Sequence, residues 1–290
     1  MNLRQAVGLP AEAETVEACG VRLAVHRKGS GPAIVCLHAI GHGGRDFEVF
    51  ATAMQDRFEV IRIDWPGHGR SGPDVQPARA ERYAELLGVV LDKLGIRDPI
   101  IVGNSIGGAA AIVYASRHPV RALVLCDSGG LVEVNRTLRA FCGIFVRFFT
   151  AGERGAWWFG PAFRAYYRFI VLPALAATDQ RRRIVEAGYE LAGTMREAWE
   201  GFRQPDADIR GIATSLQVPV WIAWARKDRV IPLSVCMPCI AKMRNVGVTR
   251  FDAGHAAFLE QPEEFAREFR NFAANVAADS ITRERVPVAQ

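Results

Sequence analysis

The sequence predicts an α/β protein: a mostly parallel central sheet flanked by helices, with a helical insertion in its second half. Three observations lead there. Short apolar runs bounded by turn residues (33–38, 100–102, 122–126, 218–224) alternate with helical patterns, and strands apolar throughout are those buried on both sheet faces. The run ending at Val102 breaks at once into Gly103-Asn104-Ser105-Ile106-Gly107-Gly108 and resumes as the helix-forming stretch 109–115. From Leu131 to about Ser215 no strand–helix repeat is legible, and aromatic residues and arginines cluster instead (Phe141, Phe145, Phe148, Phe149, Trp157, Trp158, Phe159, Phe163).

Taken in order, residues 1–14 read as a loose lead-in and 21–26 alternate like an early edge strand. Residues 33–38 form the first buried strand, which ends in the glycine-rich stretch His38-Ala39-Ile40-Gly41-His42-Gly43-Gly44. A short helix over 47–54 and a strand over 59–64 follow, then the turn Asp64-Trp65-Pro66-Gly67-His68-Gly69-Arg70-Ser71. Residues 79–94 are amphipathic, with Tyr83, Leu86, Leu87, Val90, Leu91 and Leu94 on one stripe. The strand at 122–126 ends in Asp127. After the insertion come strands at 218–224 and 248–251, ending near Asp228 and His255, and Pro262 opens a last helix to about Ala277. This divides the chain into a core of 15–130 and 216–278, a cap of 131–215 and a frayed tail of 279–290.

Composition narrows the function. The chain has 290 residues, half of them hydrophobic, enough for one α/β domain with an insertion. Its net charge of +5 comes from scattered arginines interleaved with acids. No basic stripe carries stacking aromatics, which argues against a nucleic-acid partner. No stretch reaches the roughly 20 apolar residues of a membrane span, and the first ten residues lack a signal-peptide pattern. The six cysteines are dispersed, as in reduced core thiols of a cytoplasmic protein. Cys236 and Cys239 have C-x-x-C spacing without a partner pair, so neither metal nor cofactor is expected.

The chemistry centres on Ser105. A strand that turns directly into a helix leaves one residue at a cramped apex, and glycine at 103 and 107 removes the Cβ atoms that would clash there. The serine hydroxyl then faces a crevice, and the N–H of Ile106, at the helix N-terminus, points the same way to meet a developing oxyanion. A serine needs a base and the base an orienting acid. His255 and Asp228 follow in the order Ser, Asp, His, with Asp127 as the competing acid. His38, Asp64 and His68 read as turn-holding residues, His26 and His118 as surface residues, and the sequence assigns His42 no role.

With these segments in hand the chain resembles the α/β-hydrolase superfamily. The resemblance rests on residues 37–41, 64–71, 103–108 and 226–229 and on Gly254-His255, and it covers 20–277 outside the insertion. It implies the α/β-hydrolase fold with a helical cap and a Ser105–His255–Asp228 triad. It also implies a second oxyanion donor, the backbone N–H of Ile40, and Ala39 departs from the usual glycine. The activity it implies is cleavage of an ester-like acyl bond in a small or medium hydrophobic substrate, with no cofactor. The alternatives are a carbon–carbon bond hydrolase of aromatic ring-fission products and a ligand receptor on the same scaffold. The former usually carries tryptophan after the catalytic histidine, where this chain has Ala256.

Overall fold

The computed structural model describes residues 13–284, and side chains as far as residue 278. Eight strands lie among them: β1 (Glu14–Ala18), β2 (Val21–Lys28), β3 (Ala33–Leu37), β4 (Glu59–Ile63), β5 (Ile100–Asn104), β6 (Ala122–Cys126), β7 (Val220–Ala225) and β8 (Val246–Phe251). They make one sheet in the order β1-β2-β4-β3-β5-β6-β7-β8. The first two pairings, β1 with β2 and β2 with β4, are antiparallel, and every later pairing is parallel. This is the α/β-hydrolase fold.

The apolar runs explain the centre of the sheet. Every residue of β5, β6 and β7 is buried. Strands of that kind need helices on both faces. These are α1 (Glu48–Met54), α2 (Ala80–Lys93) and α3 (Ile106–Ala115), then α9 (Leu233–Ile240), α10 (Ala257–Glu260) and α11 (Pro262–Glu284) after the insertion. On α2 the stripe Tyr83, Leu86, Leu87, Val90 and Leu91 is buried, each side chain contributing about 2 kcal/mol of apolar burial. α3 is buried on all sides from Ile106 to Tyr114, and its alanines and glycines let it lie close on the sheet.

Between β6 and β7 the chain forms α4 (Arg136–Glu153), α5 (Phe159–Tyr166), α6 (Thr178–Glu186), α7 (Gly188–Phe202) and α8 (Arg210–Ser215), with a π-helical turn over Tyr167–Val171. Aromatic rings hold this part together: Phe145 stacks on Trp199 at 4.1 Å, and Phe149, Phe159 and Phe163 are fully buried.

Three expectations are corrected. The edge strand is β1, not the segment at 21–26, which pairs on both sides as β2. The final helix runs to Glu284, so residues 279–284 of the expected frayed tail are helical, and 285–290 lie outside the described residues. His26 is not a surface residue: its Nε2 sits 3.5 Å from Asp64 Oδ2, largely shielded. The expected lead-in of 1–14 falls mostly outside the described residues. Cys236 and Cys239 lie buried on α9, and all six cysteines are free thiols.

Candidate active site

In an open α/β sheet a crevice opens where successive strands leave in opposite directions. That point lies between β3 and β5, because the chain passes from β3 to β4 on one side and then crosses to β5 on the other. Leu37 pairs with Gly103, so the loop after β3 and the turn after β5 emerge side by side.

The turn after β5 is strained. Ser105 has φ 54° and ψ −118°, a conformation that costs a side-chain-bearing residue about 1–3 kcal/mol. Its surroundings over-determine it. The Ser105 N–H donates to Cys126 O at 3.1 Å, and its carbonyl accepts from Gly108, Ala109 and Gly129 at 3.0, 3.1 and 3.0 Å. A Cβ on Gly107 would stand 2.3 Å from the Leu37 carbonyl oxygen, so only glycine lets α3 start this close to β3. Asn104, for which the motif around the serine gives no role, donates from Nδ2 to Cys126 O and His255 O, both at 3.0 Å. It ties β5 to the loop that carries His255.

His255 lies beyond β8 and is buried. Its Nδ1 is 2.9 Å from Asp228 Oδ2. Asp228 Oδ1 accepts the N–H groups of Val230 and Ile231 at 2.7 and 3.0 Å. One carboxylate oxygen is thus filled by backbone and the other meets the ring, which puts the imidazole proton on Nδ1 and leaves a lone pair on Nε2. The backbone is pinned as well: His255 N–H donates to Val171 O at 2.8 Å. Glu260, which no motif announces, accepts from Gly254 N–H and, at 2.7 Å, from Ala174 N–H. Burial pushes the Glu260 carboxyl above its usual range.

Asp127, the competing acid, adjoins this pair without bonding the ring. Its Oδ1 accepts Ala225 N–H at 2.8 Å, while Oδ2 is buried with no donor. Oxygens of Asp127 and Asp228 and a His255 nitrogen all lie within 4.8 Å of one another. Burial, then the Asp228 carboxylate, push the Asp127 carboxyl well above the carboxylate range. Two buried carboxylates so close cannot both ionise, so Asp127 carries the proton and has Asp228 as its acceptor. The same three groups form the one cluster among the described residues with metal-ligand spacing, yet His255 and two backbone amides already occupy the Asp228 oxygens.

Ser105 and His255 line one cavity of about 600 Å³, walled by Ile40, Ile106 and Val230 from the core and by Val132, Phe141, Tyr166, Tyr167, Met195 and Trp199 from the insertion. The hydrogen bond of the His255 ring among the described residues is the one from Nδ1 to Asp228, and Ser105 is held by its backbone. The N–H groups of Ile40 and Ile106 donate to nothing among the described residues. Residues 39–42 form a tight turn, closed by His42 N–H to Ala39 O at 3.2 Å, with Gly41 at φ 75°.

Buried histidines fix this loop. His38 Nδ1 donates to Ala39 O at 2.7 Å and its Nε2 accepts Trp65 N–H at 2.9 Å. His68 Nδ1 donates to Pro66 O and its Nε2 accepts Gly41 N–H, both at 2.9 Å. Each ring needs one bare nitrogen, and burial lowers the pKa of His38 to about 4 and of His68 to about 3. Asp64 accepts from Gly44 and Arg70 N–H. Burial alone would raise its carboxyl, but the hydrogen bond with His26 and the neighbouring donors prevail and bring it to about 2. His118 is exposed and stacks on Tyr114.

Known proteins agree with this architecture. The chain is 28% identical over 276 residues to a 2-hydroxy-6-oxononadienedioate/2-hydroxy-6-oxononatrienedioate hydrolase of Burkholderia vietnamiensis, covering 87% of this chain and 92% of that one. It is 28% identical over 268 residues to a pimeloyl-[acyl-carrier protein] methyl ester esterase of Stenotrophomonas maltophilia, covering 86% and 95%. Among solved structures, an esterase from Exiguobacterium antarcticum superposes with a TM-score of 0.77 at 18% identity, over 89% of this chain and 98% of that one. Residues 34–268 match the family described as Alpha/beta hydrolase family. The chain belongs to that family and is an α/β-hydrolase enzyme.

Proposed function

We propose that this enzyme is a serine hydrolase that cleaves an ester-like acyl bond in a small or medium hydrophobic substrate. The observation that carries the reading is His255, 2.9 Å from the buried Asp228 and on the same mostly apolar cavity as the strained Ser105. In the reaction His255 Nε2 takes the Ser105 proton as Oγ attacks the substrate carbonyl. The free N–H groups of Ile40 and Ile106 hold the oxyanion. Asp228 keeps the imidazole in the working tautomer and stabilises the imidazolium. His255 then protonates the leaving alkoxide, and a water activated by the same ring releases the acid. The open Ser105–His255 contact closes as substrate binds, as such contacts commonly do. The insertion acts as a cap (131–215) that supplies the apolar wall.

The test is Ser105→Ala. It should abolish labelling by a fluorophosphonate probe and remove nearly all turnover of p-nitrophenyl esters, and undiminished turnover would refute the proposal. A second reading, carbon–carbon bond hydrolysis, is favoured by the name of the Burkholderia relative. Ala256, buried directly after His255, weighs against it. Turnover of a vinylogous diketone ring-fission product well above that of simple esters would select it. The dispersed free thiols favour a reducing compartment such as the cytoplasm, and no helix among the described residues is long and apolar enough to cross a membrane.

A further inference from the structure

The cavity has a second imidazole that the mechanism leaves unused. His42 closes the turn that begins at Ala39 and so lies two residues beyond Ile40, on the wall beside the proposed oxyanion donor. Its side chain is almost fully buried, and Nδ1 stands 2.5 Å from Asp46 Oδ2. Asp46 is itself held from the insertion: its other oxygen accepts the amide of Gln180, whose carbonyl oxygen accepts from Arg183. These contacts leave nothing to rotate. Arg183 can only donate, which orients the Gln180 amide, and the amide and the ring then present their protons to a carboxylate that can only accept.

The contact with Asp46 therefore fixes a proton on His42 Nδ1, and in that tautomer Nε2 is the ring atom that offers a lone pair. The hydrogen bond of the ring to the protein is made at Nδ1, which leaves Nε2 to the cavity that His42 lines and where its ring lies 5.9 Å from that of Tyr167. A hydrogen-bond acceptor set into an apolar wall carries a desolvation cost whenever a bound ligand leaves it unmatched, so it discriminates for ligands that bring a donor. Structure-holding histidines in this loop look different: His38 and His68 each spend both ring nitrogens on the protein.

We propose that His42, oriented by Asp46 and Gln180, is a specificity residue that accepts a hydrogen bond from a hydroxyl group on the acyl portion of the substrate, making hydroxyacyl esters the preferred class. The assignment rests on the serine-hydrolase reading, because the Ile40 N–H places the acyl carbonyl next to this wall. The experiment compares kcat/KM for p-nitrophenyl butyrate with that for its 2-hydroxy and 3-hydroxy analogues. In the wild type at least one hydroxy ester should be favoured about tenfold, the worth of one matched buried hydrogen bond. His42→Phe should bring that ratio to about one. Asp46→Asn, which keeps the shape but frees the tautomer, should lower it several-fold, and each variant is melted to confirm folding. The readout is a ratio, so a general loss of rate in a variant does not mimic the effect. No preference in the wild type, or the same ratio in both variants, overturns the assignment while leaving the ester reading intact. Absence of ester turnover in the wild type overturns both.

Discussion

The His68 ring offers a quantitative test of how the loop beside Ser105 is held. Its Nε2 accepts Gly41 N–H at 2.9 Å, and burial lowers its pKa from 6.5 to about 3. A group depressed in this way contributes its full stability above the unfolded pKa. As pH falls below 6.5 the unfolded chain takes up a proton that the folded chain refuses. Stability is then lost, and the loss levels off only near pH 3. Between pH 6.5 and 5 the difference of 1.5 pH units corresponds to about 2 kcal/mol. His38, lowered to about 4 by burial, adds a similar amount. Asp127 and Glu260 oppose it, because their carboxyls are raised and the folded chain holds protons that the unfolded chain releases. The wild-type slope is thus a sum of opposing parts, and a difference between variants isolates one of them. His68→Gln keeps an acceptor for Gly41 N–H but cannot titrate. Urea denaturation at pH 7.5, 6.5, 5.5 and 5.0 should show the wild type losing about 2 kcal/mol more than His68→Gln across the window. Parallel curves for the two proteins would refute the reasoning, since they would mean that His68 takes up its proton in the folded state as readily as in the unfolded.

Three further substitutions separate the acids and test the turn. Asp127→Asn should retain esterase activity within a few-fold, because its amide can still donate to Asp228. Asp228→Asn should lower kcat by about 10³–10⁴; reversal of that order in steady-state assays would make Asp127 the orienting acid. Gly107→Ala puts a methyl group 2.3 Å from Leu37 O, which should destabilise the protein by about 3 kcal/mol in thermal melts and displace Ser105 enough to remove probe labelling.

How much could be read beforehand varied with the physics of each element. β5, β6 and β7 are buried on both faces, so their sequences are apolar runs, broken only by Asn104 at the end of β5, that have no other stable place in water. β1 escaped notice because only Val16 and Ala18 of its five residues are buried and it is joined to β2 by Cys19 and Gly20, both at positive φ. A cysteine at φ 48° is not a turn signal that composition supplies. The last helix was read as ending near 277 because the charges beyond it resemble a tail, whereas an exposed helix tolerates them equally well. At the site, the strained position of Ser105 was written into its flanking glycines. The Asp46–Gln180 contact joins residues 134 apart in sequence and leaves no local pattern at all. A histidine in an alternating strand such as His26 has the local pattern of a surface residue, and only the pairing of β2 with β4 brings its ring to Asp64.

The hydrogen bonds around His255 also bear on what the insertion does. Val171 O holds the His255 N–H, and Glu260 joins Gly254 N–H to Ala174 N–H, so residues 171–174 of the insertion and the histidine loop share one network. The π-helical turn over Tyr167–Val171 delivers that segment. Asn104 completes the network from the opposite side by binding His255 O. Swinging this part of the insertion outward as a rigid body would remove an acceptor from the His255 amide and leave the buried Glu260 carboxyl short of a donor, at a cost of about 1–3 kcal/mol for each orphaned group. The contact at the rim is of another kind: Arg79, just before α2, meets Asp206 of the insertion at 2.8 Å in an exposed ion pair worth about 1 kcal/mol or less. These two contacts of the insertion therefore differ in kind: the one at the histidine is buried and expensive to break, and the one at the rim is wet and cheap.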